Sequence, residues 1–407
     1  MGTQDALNSF FGSMRRRKVF FLAPVFTASG YGEHSRQVAS WLLQKHEAGE
    51  IELFINPLNW GVTSWHVDEK KFGGLVGKMQ QRCIPPTGQA DVSIQLQLPN
   101  EWNPTLAPVN IGITAAVETT ICSPQWIEAC NRMTHVIVPS EHIKRTLESS
   151  GKLTTKLSVI PESFPGAFLT DHVETKLTHR LNEIPTSFNF LIFGQLTGDD
   201  TGDRKNTYNT VKWLCEEFHK DKEVGIILKT NLGRNTRIDR LNTESVLKQT
   251  LSQLKSRCPV YLLHGDIDDS EIPSLYRHPK VKGLVSLTRG EGWGLPLLEA
   301  AACGLPVVST DWSGHLDFMN LGKSIKIAYD LQEIPKSKID GNVFVPGAKW
   351  AEPKQDDFKK KIAKFRDSAR IPLEWARELA PTIKKEFSPR AIHNIYDREI
   401  GNIVVKK

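Results

Sequence analysis

Two glutamates with seven residues between them, Glu291 and Glu299, are the pair in this chain best spaced for chemistry. They lie within the segment TRGEGWGLPLLEAAACGLPVV, which runs from Thr288 to Val308. Pro296 suits the first helical position, where its missing N–H leaves nothing unpaired. Gly304 suits the position just past the helix end. Gly292-Trp293-Gly294 is therefore expected to be a flexible loop feeding a helix N-terminus. The free backbone N–H groups there, from Gly292 to Leu295, act with the helix dipole as an anion site. A carboxylate facing a bound phosphate would repel it. Both glutamates must point to the flanks and accept hydrogen bonds from hydroxyls, one set on a ribose and one on a sugar ring. The segment by itself describes a site for a sugar joined through a diphosphate to a nucleoside.

Arg204 and Lys205 stand just before a predicted helix, where positive charge opposes the dipole. An anionic ligand explains that placement better than surface decoration does. Asp266-Ile267-Asp268 has the spacing of a metal-binding carboxylate pair. Asp268, Asp269 and Ser270 directly precede a helix, however, and capping is their expected role. Trp312-Ser313-Gly314-His315 follows a strand and either lines the same cleft or turns around a buried aromatic. Val138-Pro139-Ser140-Glu141 reads as a strand end leading into a capped helix.

The elements that must position these residues alternate along the chain. Val19–Leu22 reads as a buried first strand, Gly30-Tyr31-Gly32 as a glycine loop, and Glu33 to Leu43 as a helix. Further strands are expected at Glu52–Ile55, Val92–Leu96, Asn110–Thr114, Val136–Val138 and Leu157–Ile160. A polar stretch from Thr170 to Ser187 interrupts this pattern. The alternation resumes with strands at Phe188–Phe193, Val224–Leu228, Val260–Leu263, Gly283–Leu287 and Pro306–Ser309. Helices are expected between them at Asn209–Glu217, Ser245–Leu254, Glu271–Tyr276 and Leu297–Cys303. The fold class expected is α/β, two facing Rossmann-like doubly wound domains. Residues 1–16 are expected as an extension, 17–182 and 183–382 as the two domains, and 383–407 as a helix packing back on the first.

Composition narrows the function classes. The chain has 407 residues, enough for two cores. No apolar run reaches the roughly 18 residues that span a bilayer. The basic residues Arg15-Arg16-Arg17-Lys18 follow an apolar patch instead of preceding it, the wrong order for a signal peptide. Six scattered cysteines form no CxxC pair, so zinc is not expected, and free thiols suit a reducing cytoplasm. A net charge of +6 suits anionic ligands such as phosphates, a nucleic acid or an anionic membrane surface.

The Glu291–Glu299 segment resembles the Glu-x7-Glu signature of retaining glycosyltransferases of the GT-B fold, in particular the large family 4. The order of elements is similar over nearly the whole chain; the specific part is Glu291 to Val308, with Lys205 in support. The resemblance implies that Glu291 binds donor-sugar hydroxyls and Glu299 the ribose. It implies that Gly30 and Gly32 approach the donor phosphate and the acceptor, with His34 as another contact or a helix-surface residue. It assigns the diphosphate to Lys205 and an arginine just after strand Phe188–Phe193. Gln195 occupies that arginine position, which leaves open whether Arg204 takes over the second charge; Lys229 is a further candidate. Asp266 and Ile267 match where the family seats the base. Glu118 matches an acceptor-side residue that would orient or deprotonate the attacking hydroxyl.

The expected reaction moves a hexose or pentose from a UDP- or GDP-sugar to an acceptor hydroxyl, with retention. No metal is required where Lys205, an arginine and the helix start offset the leaving diphosphate. Glycoside hydrolysis is disfavoured, because its two acids must flank a sugar and not a phosphate site. A saccharide is the expected acceptor. The alternatives are a phage-type enzyme that glycosylates DNA and a non-catalytic sugar-nucleotide binding protein; a sugar-nucleotide epimerase is a lesser rival. Peripheral membrane contact is compatible with the charge.

Overall fold

The computed structural model describes residues 15–170, 174–196, 202–254 and 257–405. The expected extension lies outside these residues apart from Arg15 and Arg16, as does part of the segment between Gly194 and Asn206.

Near-continuous apolar runs such as FNFLIF are what a parallel sheet covered on both faces requires. Two such sheets form. The first contains β1 (Arg17–Ala23), β2 (Ile51–Pro57), β3 (Val92–Leu96), β4 (Val109–Ile113), β5 (His135–Val138) and β6 (Lys156–Val159), in the order β2-β1-β3-β4-β5-β6. The second contains β7 (Phe188–Phe193), β8 (Val224–Thr230), β9 (Val260–His264), β10 (Val281–Ser286), β11 (Val307–Thr310) and β12 (Ile325–Ile327), in the order β12-β11-β10-β7-β8-β9. All these pairings are parallel. Strand order reverses between β1 and β3 in one sheet and between β7 and β10 in the other. Ligands of doubly wound sheets bind outside the carboxyl ends of the strands at that reversal. In the second sheet the flanking loops are residues 194–206 after β7 and 287–294 after β10.

Helix α1 (Gly30–Glu47) begins earlier than its sequence suggests. Ser29 caps it, its Oγ accepting the Gly32 N–H at 3.0 Å. Gly30-Tyr31-Gly32 is thus the first helical turn and not a loop. Gly32 is required by close approach: a Cβ there would collide with the carbonyl and hydroxyl of Thr27. The helices that matter next are α2 (Pro124–Asn131), α3 (Glu141–Ser150), α4 (Thr207–Phe218), α5 (Arg237–Ser252), α6 (Ile272–Arg277) and α7 (Leu295–Ala302).

After the strands of both sheets come α8 (Gln355–Asp367), α9 (Arg370–Glu386) and α10 (Pro389–Tyr396), followed by helical turns over Asp397–Gly401 and Asn402–Val404. Pro381 lies inside α9. Pro372, Ala376, Leu379 and Ile383 form a buried stripe at helical spacing, and that packing overrides the proline. Beyond it, Tyr396 stacks on Trp41 of α1 with ring centroids 5.2 Å apart, so the chain end returns to the first sheet's helices. A two-stranded antiparallel ribbon of β13 (Tyr329–Glu333) and β14 (Lys349–Pro353), and strand β12, have no counterpart in the expected elements. Most of β13 is exposed, so it carries no apolar pattern to read.

Candidate active site

Lys205 comes from the loop after β7 and Glu291 from the loop after β10, the two sides of the strand-order reversal. The Lys205 Nζ donates to both carboxylate oxygens of Glu291 at 2.7 Å. Arg204 reaches the same carboxylate at 3.6 Å, places its other arm 3.3 Å from Glu118 in the first domain, and donates to the Gly290 carbonyl. Burial alone would raise the Glu291 pKa; the charges of Lys205 and then Arg204 outweigh it and hold the carboxyl at about 2. Glu291 is therefore an anion already held by two cations. Lys205 and Glu291 do not stand on opposite sides of an open site but touch.

The loop that carries Glu291 is held by ring packing and by hydrogen bonds from both domains. The Trp293 ring is buried against Phe318 and Phe387, with centroids 5.0 and 5.5 Å away. Ser313 Oγ accepts the Glu291 N–H at 2.9 Å, and the Gly314 N–H donates to the Glu291 carbonyl at 2.9 Å. Ser140, across the cleft, caps α3 and donates its hydroxyl to the Gly292 carbonyl at 2.7 Å. Gly294 turns the chain into α7 at φ 97, a left-handed conformation that suits glycine. Among the described residues, the N–H groups of Gly292, Trp293 and Gly294 have no acceptor. They and the N–H of Leu295, at the head of α7, are available to an anion.

Glu299 meets a different environment. It lies in the second turn of α7, half-buried, and accepts a 2.6 Å hydrogen bond from the Tyr276 hydroxyl. The Tyr276 ring stacks on Phe193 at the end of β7. Burial pushes the Glu299 pKa up to about 8, against the opposing hydrogen bond from Tyr276. Near neutral pH it carries a proton.

The remaining candidates divide. The buried Lys229 Nζ donates to Asn231 Oδ1 at 2.5 Å and to the Gly265 carbonyl at 2.7 Å, and burial lowers its pKa to about 8. Asp266 accepts from Ser64 of the first domain at 3.0 Å and from Asn231 and Asn235. Ile267 packs at the edge of the main core. Neither Asp268, Asp269 nor Ser270 caps α6 with its side chain: Glu271 is the capping residue and makes no side-chain cap bond, while the Asp268 carbonyl accepts from Glu271 and Ile272. Gln195 is exposed and bonds the Asn231 carbonyl, so Arg204 is the arginine that reaches Glu291. His34 is no surface residue: it is buried with Tyr396 at 3.4 Å and Glu162 at 3.7 Å, and burial lowers its pKa to about 3. Trp312 is half-buried over His142. Arg15-Arg16-Arg17-Lys18 does not form a free cluster, since Arg17 and Lys18 begin β1 and Arg17 donates to the Ile403 carbonyl.

Sequence reading passed over two residues here. Tyr276, in a six-residue helix, carries no motif. Glu162 follows β6, and burial, then the charges of Glu33 and Glu291, push its pKa up to about 8. A glutamate next to proline at a strand end was its only signal.

Among the described residues no group of three or more His, Cys, Asp and Glu side chains could hold a metal, and no helix is long and apolar enough to cross a membrane. The cysteines are free and four of them are buried.

The two parallel-sheet domains closed over a shared cleft define the α/β GT-B fold. Residues 260–365 match the family described as "Glycosyl transferases group 1". Among solved structures the chain is similar to Anabaena Alr3699/HepE in complex with UDP and glucose, at 14% identity and a TM-score of 0.60, covering 95% of this chain and 100% of that one. It is similar also to sucrose-phosphate synthase from Thermosynechococcus elongatus, at 14% identity and a TM-score of 0.62, covering 95% and 99%. No curated protein matches the chain.

Proposed function

We propose that the protein is a retaining glycosyltransferase that uses a nucleotide-diphosphate sugar and needs no metal. The observation that carries this reading is the buried Glu291 carboxylate, held by Lys205 beside three backbone N–H groups without acceptors. The matched family segment and the UDP complex of the similar Anabaena protein support it. The donor diphosphate takes the N–H groups from Gly292 to Leu295 and draws Lys205 and Arg204 toward itself. Freed from both, Glu291 accepts hydrogen bonds from the donor sugar, and the protonated Glu299 faces the ribose. The two cations and the helix start offset charge on the leaving diphosphate as the C–O bond breaks. Glu118, tied to Arg204 from the first domain, orients the acceptor hydroxyl. Gly30 and Gly32, at the head of α1, border the acceptor side, while Lys229 and Asp266 shape the base side. The acceptor proposed is a saccharide.

A thermal-shift panel of UDP- and GDP-sugars tests the reading. A matching donor at 100 times its Kd should add about 2.7 kcal/mol of stability. Lys205→Ala and Glu291→Ala should each lower donor turnover by about 100-fold or more. Absence of any shift across the panel would sink the proposal. Turnover that requires DNA, with a steep salt dependence, would move the acceptor from saccharide to nucleic acid.

A further inference from the structure

The opposite end of α7 carries a second feature that the reaction above does not use. A concavity of about 700 Å³ opens beside Cys303-Gly304-Leu305, lined by the end of α6, the start of β10 and one face of α9. Because β7 and β10 present their first residues, Phe188 and Val281, to it, it lies at the amino ends of the second sheet. The donor loops lie at the carboxyl ends. The eight residues of α7 separate the two by about 12 Å, at 1.5 Å per residue. That exceeds the ~8 Å screening length in physiological salt, so through solvent its charges do little for the donor site.

Its lining is strongly cationic. Arg277, Lys282, Arg366, Arg370 and Arg377 face it, with Asp367 as the acid among them. Arg366 is neutralised by Asp221 at 2.9 Å. The others are not neutralised to the same degree. Arg277 donates to the Thr170 and Phe168 carbonyls and has no carboxylate partner among the described residues. Lys282 and Arg377 have no ion pair or hydrogen-bond partner there either. Arg370 meets Glu374 at 3.6 Å, with both side chains mostly exposed. Arg370, Arg377 and Lys384 recur every seven residues, which keeps them on one face of α9. Like charges gathered in a concavity repel one another, and guanidinium groups match phosphate oxygens in two-pronged geometry.

We propose that this concavity is a second ligand site, for a compact polyphosphate anion, separate from the donor site. Its volume suits a small molecule, and three cations, Arg277, Lys282 and Arg377, are left to meet the ligand's charge. Tyr276 borders the concavity while its hydroxyl holds Glu299, so the two sites share one residue. The proposal does not depend on the glycosyltransferase reading.

Calorimetric titration with inorganic tripolyphosphate at low salt tests it on the full chain. The wild type should bind, the double variant Lys282→Gln/Arg377→Gln should bind at least tenfold more weakly, and Lys205→Ala should retain that binding. Among the described residues the two substituted side chains make no hydrogen bond or ion pair, and an unchanged melting temperature checks that the double variant is folded. Three outcomes overturn the proposal: no binding, binding that the double variant keeps, or binding lost in Lys205→Ala alone. A fourth is binding of duplex DNA or phosphatidylglycerol vesicles through Lys282 and Arg377 with none of tripolyphosphate, which would make the surface a dock for an extended polyanion.

Discussion

Glu291 lies between Lys205 and Arg204 and is ionised, whereas Glu299, eight residues further on, faces the Tyr276 hydroxyl and holds a proton near neutral pH. Glu291 stands on the loop before α7 and Glu299 in the second turn of that helix. The difference comes from what is brought to them. Glu291 receives two cations from the loop after β7, and their attraction exceeds the cost of burial. Glu299 receives a neutral hydroxyl, and burial wins. One motif thus yields a fixed negative charge and a neutral group that can donate as well as accept.

The comparison can be broken most severely at Gly314. A Cβ there would collide with the Gly292 carbonyl, on the loop that carries Glu291 and away from Glu299. Gly314→Ala is expected to cost about 1–3 kcal/mol in urea unfolding, as overpacking does. The Glu291 end should lose donor binding while the Tyr276–Glu299 bond persists; intact donor affinity would show that the loop can yield.

The pH dependence of stability sharpens it next. The Glu291 pKa is depressed, so its contribution is present above the unfolded value and is lost as pH falls toward about 2. The Glu299 pKa is raised, so the folded state keeps a proton that the unfolded state has released. Its effect is to lower stability as pH climbs from the unfolded value toward about 8, by up to about 1.4 kcal/mol per pH unit. Glu299→Gln should flatten that fall between pH 5 and 8 in denaturant titrations. An unchanged slope would mean that Glu299 is ionised throughout.

The smallest effect expected is that of Tyr276→Phe. Loss of its hydrogen bond should cost about 1 kcal/mol. Because that bond opposes the upward shift of Glu299, its removal should push the shift further, which carboxyl NMR or infrared titration can follow.

Much of this was legible in residue order. Val92–Leu96 and Phe188–Phe193 form strands over the residues expected, because runs buried on both faces announce themselves without their neighbours. Pro296 in the first turn and Gly304 just past α7 act locally, so that helix was readable too. The glycine segment at residue 30 misled, because Gly32 answers to Thr27 packed against it and not to a turn. The ribbon of β13 and β14 left no trace, because its pairing partner, and not an apolar pattern, makes it a strand.

The sequence by itself determined the two α/β halves, the helix start between the glutamates and the cationic pair at residues 204–205, because strand burial, capping and proline placement are local. Only the tertiary structure decided that Lys205 grips Glu291, that Tyr276 faces Glu299 and that Trp293 anchors the loop. Those contacts join residues 23 to 94 positions apart in the chain, and electrostatic environment in a buried site depends on what space brings near. Identical side chains therefore acquired different charges from neighbours that no local pattern names.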